Sequence, residues 1–200
     1  MAGSAAREGL TATLRSATQS AHRALDGRAI LVELAEGTIS ARHYLQVLCA
    51  FGRIWHALEA TAWTMLCPDM PALAALDDRR APLLDADITA LGGHIPAPMC
   101  DPPTITTPAQ AAGVLYVLEG SRLGGALIAD RLARAGRPLG MPGYRFFAPP
   151  PPGLGERWRR FRALLDAQDW SQAALDAASE AARATFAALG EALEAEQRHG

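Results

Sequence analysis

The chain has 200 residues, half of them hydrophobic, a formal net charge of -2 and a pI near 6.2. That length buries roughly 70% of the surface its unfolded form exposes, enough for one sizeable core, and the balance of charge offers no basic field for nucleic acid or an acidic membrane surface. Cys49, Cys67 and Cys100 are odd in number and lack close metal-ligand spacing, so they read as reduced thiols of a cytoplasmic protein, not as a disulfide framework or a zinc knuckle. The opening residues lack the apolar stretch of a signal peptide, and no apolar run approaches the roughly 20 residues of a membrane span, so neither export nor membrane insertion is expected. All 19 basic side chains are arginine. An anionic ligand group must therefore meet guanidinium, histidine or backbone donors.

Leu10, Leu14, Ala17, Ala21 and Leu25 recur at the period of an amphipathic helix, which Asp26 and Gly27 end. A short helix is predicted from Ala29 to Glu36, stopped by Gly37, and Ser40 is placed to cap a long one reaching Leu66. Residues 67–107 are rich in Pro, Asp and Gly and allow two short helices, near Ala72 to Leu76 and Pro82 to Leu91. Thr107-Pro108 starts another long helix that runs to Ala135, with Gly136 as its stop. The prolines of 137–155 exclude regular structure and predict a long surface loop, followed by helices from about Glu156 to Ala167 and Ser171 to Glu196. No segment alternates as a strand does. The expected fold is all-α, one domain over 1–200 with its core at about 8–196, built as a bundle of six to eight helices.

Two places on this framework carry possible chemistry. His22 shares a face with Leu14, Thr18 and Leu25, which points its imidazole inward, either as a packed core residue or as a ligand. Arg15, seven residues earlier, lies about 20° around the helix and roughly 10 Å along it, so it either snorkels over the surface or reaches an acid group of something centred on His22. The second place is GVLYVLEGSRLGGALIADRL, residues 113–132. Each interior glycine costs up to about 1 kcal/mol relative to alanine. Gly120, Gly124 and Gly125 therefore need a reason, which is either a close helix crossing through Gly120-xxx-Gly124 or a ligand lying against the backbone.

The segments LRSATQSAHRALD (14–26) and YVLEGSRLGG (116–125), in this order and separation, resemble the two signature regions of the haem oxygenase family, nearest its bacterial branch that supplies bilin to bacteriophytochromes. The likeness in pattern extends from about residue 8 to 190. It implies a haem oxygenase-like bundle whose glycine-bearing helix is kinked on the distal side of the haem. His22 is then the proximal iron ligand, leaving the sixth position for O2. Gly120, Ser121, Gly124 and Gly125 line the distal side, where Gly120 and Gly124 let the backbone press on bound dioxygen and Ser121 faces the site of proton delivery. Thr18, Tyr116, Arg15 and Arg159 join His22 in holding haem, and haem is both prosthetic group and substrate, converted to biliverdin, carbon monoxide and iron.

Animal members carry aspartate where Ser121 stands and a lysine where Gln19 stands, so this chain lacks that carboxylate and one charged contact. Arg159, and after it Arg162, of WRRFRALLD are the candidates to replace the contact, while Tyr116 either bonds near the haem edge or packs in the core. No flavin or dinucleotide fingerprint occurs, so electrons must come from a separate ferredoxin or flavin reductase. A non-catalytic haem carrier or sensor is the alternative, a helical scaffold or di-iron carboxylate protein the third reading. A thiaminase-like relative would need an activated cysteine. His43, His56, His94 and His199 show no helical pairing with carboxylates and receive no role.

Overall fold

The computed structural model describes residues 9–99 and 101–199, so Cys100 and the first eight residues lie outside the described part. It contains α1 (Leu10–Asp26), α2 (Ala29–Glu36), α3 (Ala41–Leu66), α4 (Pro71–Ala74), α5 (Ala81–Ala90), α6 (Pro108–Arg134), α7 (Leu154–Asp166) and α8 (Gln172–His199). The starts follow local chemistry. Ser40 Oγ accepts from the His43 N–H, and at α6 Thr107 and Gln110 form a reciprocal capping box ahead of Pro108. Gly37 ends α2 in the left-handed region that favours glycine. α7 begins two residues earlier than expected because Gly153, also left-handed, turns the chain into it. The glycines do not interrupt α6, which runs as one helix.

α8 is the central strut, packed along α6, α1 and α3, while α1 and α6 meet each other only marginally. Trp55, Trp63, Tyr44 and Phe161 are the largest fully buried side chains. α6 and α8 come closest at Gly113, where an added Cβ would lie 2.1 Å from the Ala178 carbonyl oxygen. Only glycine allows that backbone-to-backbone contact.

Two expectations are corrected. α6 averages a hydropathy of 1.2 over an 18-residue stretch, long and apolar enough for a membrane span. In the bundle that apolar character is used for packing, with Ala111, Ala112, Val114, Leu115, Val117 and Leu118 buried. The Pro-rich segment is not merely a surface loop either, since Tyr144, Phe146 and Phe147 are buried and Tyr144 stacks on Tyr44 with centroids 4.9 Å apart. The fully buried carboxylate of Asp87 on α5 holds it, accepting from the backbone N–H of Gly143 (3.0 Å), Arg145 (2.7 Å) and Phe146 (2.7 Å). Burial pushes the Asp87 carboxyl above its ordinary range, with the three N–H donors acting the other way.

Gly113→Ala is expected to destabilise the fold by about 1–3 kcal/mol, because overpacking here forces two helix backbones apart. Urea unfolding checks it, and an unchanged midpoint would show that α6 and α8 have room to separate.

Candidate functional site

His22 lies on α1 with Nδ1 2.8 Å from a carboxylate oxygen of Asp26, one turn on. Its side chain is 59% exposed, so the imidazole does not point into the interior as its apolar face predicts. α8 meets this end of α1 only through the edge of Phe186, 5.5 Å from the imidazole, while Leu14 and Thr18 beneath are buried. The Asp26 carboxylate stands on the Nδ1 side of the ring, and Nε2 is the ring nitrogen on the other side. The buried Thr18 offers no free donor, because its hydroxyl donates to the Leu14 carbonyl (2.7 Å).

On α6 the glycines divide into two kinds. Gly113 is closed by α8, whereas an added Cβ at Gly124 would meet nothing within 4 Å, at Gly125 only Phe147 at 4.0 Å, and at Gly120 the ring of Trp158 at 3.5 Å, ordinary contact distance. A close helix crossing therefore accounts for Gly113 and not for Gly120, Gly124 or Gly125. Beside them Leu123 and Leu127 are 36% and 74% exposed, extending an uncovered apolar strip along the helix. The Ser121 hydroxyl donates to the Leu118 carbonyl (2.7 Å), so its proton is engaged while its oxygen keeps acceptor capacity.

One edge of this region is aromatic and cationic. The half-buried Tyr116, one turn before Gly120, lies 5.4 Å from the Trp158 ring of α7, and Trp158 stacks on Phe161. Burial raises the Tyr116 phenol above its ordinary value, against the pull of Arg162 and Arg15. Both guanidinium groups thus act on one phenol from α7 and α1, and among the described residues neither has an ion-pair partner. Arg162 sits 5.7 Å over the Trp158 ring, and its Nε is buried without a hydrogen-bond partner. Arg159, by contrast, is exposed and paired with Glu156. Arg162 thus lies toward the buried side of α7 and Arg159 on its solvent side.

Sequence reasoning missed Asp26 as the partner of His22, although the four-residue spacing signals it. It also missed the buried Glu119, which accepts from Arg122 of its own helix and Arg157 of α7, and here only the Glu-x-x-Arg spacing gave a hint. The approach of Trp158 and Phe186 is tertiary and has no local signal. His43 and His56 do pair with carboxylates, Glu33 and Asp85, but across helices. Burial pushes the Cys49 thiol up to about 11 and also raises Cys67, which leaves both without the activation a nucleophile needs. Among the described residues no three His, Cys, Asp or Glu side chains converge as a metal site. Two surface hollows lie elsewhere, about 550 Å³ beside Thr61 and Thr64 and about 570 Å³ along Ala181 and Ala184.

An all-helical bundle with an outward histidine on its first helix and a bare glycine face on its sixth has the features of a haem oxygenase-like protein. A family profile described as heme oxygenase matches residues 8–195. A heme oxygenase of Xanthomonas campestris pv. campestris is 36% identical over 168 residues, covering 82% of this chain and 97% of the relative. Among solved structures, the NO- and CO-bound heme oxygenase of Neisseria meningitidis superposes with a TM-score of 0.78 at 25% identity, covering 94% of this chain and 92% of that one. The haem complex of heme oxygenase-1 from the cyanobacterium Synechocystis shares the fold, with a TM-score of 0.74 at 15% identity over 96% and 94% of the two chains. The chain belongs to the haem oxygenase family.

Because nothing in the protein occupies the space at Gly124, Gly124→Ala should leave the ligand-free fold intact or stabilise it by up to about 1 kcal/mol through helix propensity. A lower melting temperature would show instead that the fold itself requires glycine there.

Proposed function

We propose that this haem oxygenase holds haem between α1 and the Gly120–Gly125 stretch of α6, with the Nε2 atom of His22 as the iron ligand, and cleaves it to biliverdin, carbon monoxide and iron. The observation that carries this assignment of the site is the division among the α6 glycines. Three of them, with Leu123 and Leu127, leave an apolar helix face without a protein neighbour in close contact, at a cost in helix propensity that packing does not explain. A flat apolar ring is the kind of partner such a face accepts.

The residues present fit that ligand. The Asp26 carboxylate, 2.8 Å from Nδ1, would favour a proton on that nitrogen and leave Nε2 for the iron. Arg162, with its buried unpartnered Nε, and Arg15 stand ready for the two acid substituents of the ring edge, where guanidinium pairs with carboxylate in two-pronged geometry. The raised Tyr116 stays a neutral donor at the same edge. Bound haem supplies the iron at which O2 is reduced and the porphyrin carbon that is oxidised. Gly120, Gly124 and Gly125 would leave room for the ring and for O2, and Ser121, its proton donated to Leu118, would accept from a water there. The electrons would come from a separate ferredoxin or flavin reductase, and the bilin product would serve a phytochrome in the cytoplasm, the compartment that the unbridged Cys49 and Cys67 suit.

Ferric haem, O2 and a reductant, with catalase present, should produce loss of the Soret band and growth of a bilin spectrum. Haem that binds but persists would favour a carrier or sensor. His22→Ala should change the ferric absorption spectrum and abolish turnover, and an unchanged spectrum would move the iron ligand elsewhere. Arg162→Ala should weaken haem affinity roughly tenfold or more, the loss of a charged hydrogen-bonded contact, while Arg159→Ala stays within about twofold. Titration of each variant with ferric haem checks this, and equal affinities for the two would dismiss Arg162 as an anchor.

A further inference from the structure

Glu119 immediately precedes Gly120 and is only 5% exposed. One carboxylate oxygen lies 3.1 Å from Arg122 Nε, and the other accepts from Arg157 through Nε (3.2 Å) and Nη2 (2.8 Å). Both arginines continue to the connection between α4 and α5. Arg122 donates to the Asp78 carboxylate (3.0 Å) and to the Asp78 carbonyl, and Arg157 donates to the Leu76 carbonyl. One buried carboxylate thus ties α6, α7 and the segment 76–78 together. Arg157 is also the residue before Trp158, whose ring rests beside Gly120, and it lies five positions before Arg162.

We infer that Glu119, through Arg157, is a positioning residue that sets the in-plane orientation of haem in the site. It touches no substrate. Its carboxylate fixes the register of α7 on α6, and that register places two groups at once, the Trp158 ring beside Gly120 and Tyr116 and the Arg162 guanidinium over that ring. A buried ion pair contributes less to net stability than its geometry implies, because desolvation offsets the attraction, but it constrains direction strongly. Released from Glu119, α7 would carry Trp158 and Arg162 to new places together, and the ring edge they hold would rotate. The carbon presented for oxidation would change with it. This inference rests on the haem reading above.

The test uses the full chain and two variants. Arg157→Ala cuts the α6–α7 tie yet leaves Glu119 paired with Arg122, so no buried charge is orphaned, and Glu119→Gln keeps the shape while removing the charge. Asp130→Asn, in an exposed pair with Arg134 on the same helix, is the control. Each is loaded with ferric haem and compared by Soret-region circular dichroism and by the proton NMR shifts of the haem methyls, which report orientation without turnover, and then by the ratio of biliverdin isomers. Both cutting variants should redistribute the methyl signals between two orientations and change the isomer ratio at least twofold, with Asp130→Asn unchanged. Wild-type methyl shifts and isomer ratio in Arg157→Ala would overturn the inference, even if its melting temperature fell, since the tie would then be structural only. Wild-type protein that fails to bind haem would instead overturn the haem reading, so the two failures are distinct.

Discussion

The approach of α6 to α8 at Gly113 is the constraint from which the rest of the arrangement follows. A carbonyl of one helix lies where a side chain of the other would begin, so the N-terminal half of α6 is fixed at a distance only glycine permits. That closeness is possible because α8 presents alanines along its buried side, Ala178, Ala181 and Ala182 among them. α1 is laid against the same strut. The two helices that frame the site are therefore positioned by a third, and they scarcely touch one another. Their separation follows from the width of α8 and needs no spacer side chains between them.

Seen this way, the four glycines of α6 divide the labour along its length. Gly113 is an anchoring residue, while Gly120, Gly124 and Gly125 belong to a part of the helix that the protein leaves bare. In sequence the four look alike, and Gly120-xxx-Gly124 resembled the crossing motif more than Gly113 did. Periodicity carries the existence and the ends of the helices well, because caps and stops such as Ser40, Thr107-Pro108 and Gly37 are local events. It does not say which turn of a helix has a neighbour. His22 shows the same limit, since its face was apolar by spacing but α8 meets it only through the edge of Phe186.

Arginine had to do every cationic task in this chain, and tertiary structure sorts the tasks. Arg122 and Arg157 are consumed by Glu119, and Arg80 lies over the Phe146 ring with its pKa lowered by burial to about 10. Arg159 is held in solvent by Glu156. What remains on the site side is Arg15 and Arg162, one from each flanking helix, both felt by Tyr116. From sequence, WRRFRALLD offered Arg159, Arg160 and Arg162 as near equals. Phe161, fully buried, settles the rotation of α7, and Arg162 next to it falls at the margin of the core.

The Pro-rich segment shows how a buried charge substitutes for regular structure. Its prolines remove the donors a helix or strand would need, so Asp87 collects three of the N–H groups that remain and seats Tyr144, Phe146 and Phe147 in the core. Phe147 is the nearest side chain to the space beside Gly125, 4.0 Å from where a Cβ would stand, and Phe146 lies under Arg80. The loop thereby supports the far end of the bare α6 face, as α7 supports its near end through Trp158. Both supports are held by a buried carboxylate, Asp87 for one and Glu119 for the other. The apolar face between them stays open because each neighbour is tied back by charge and hydrogen bonding and is not drawn onto α6 by apolar contact.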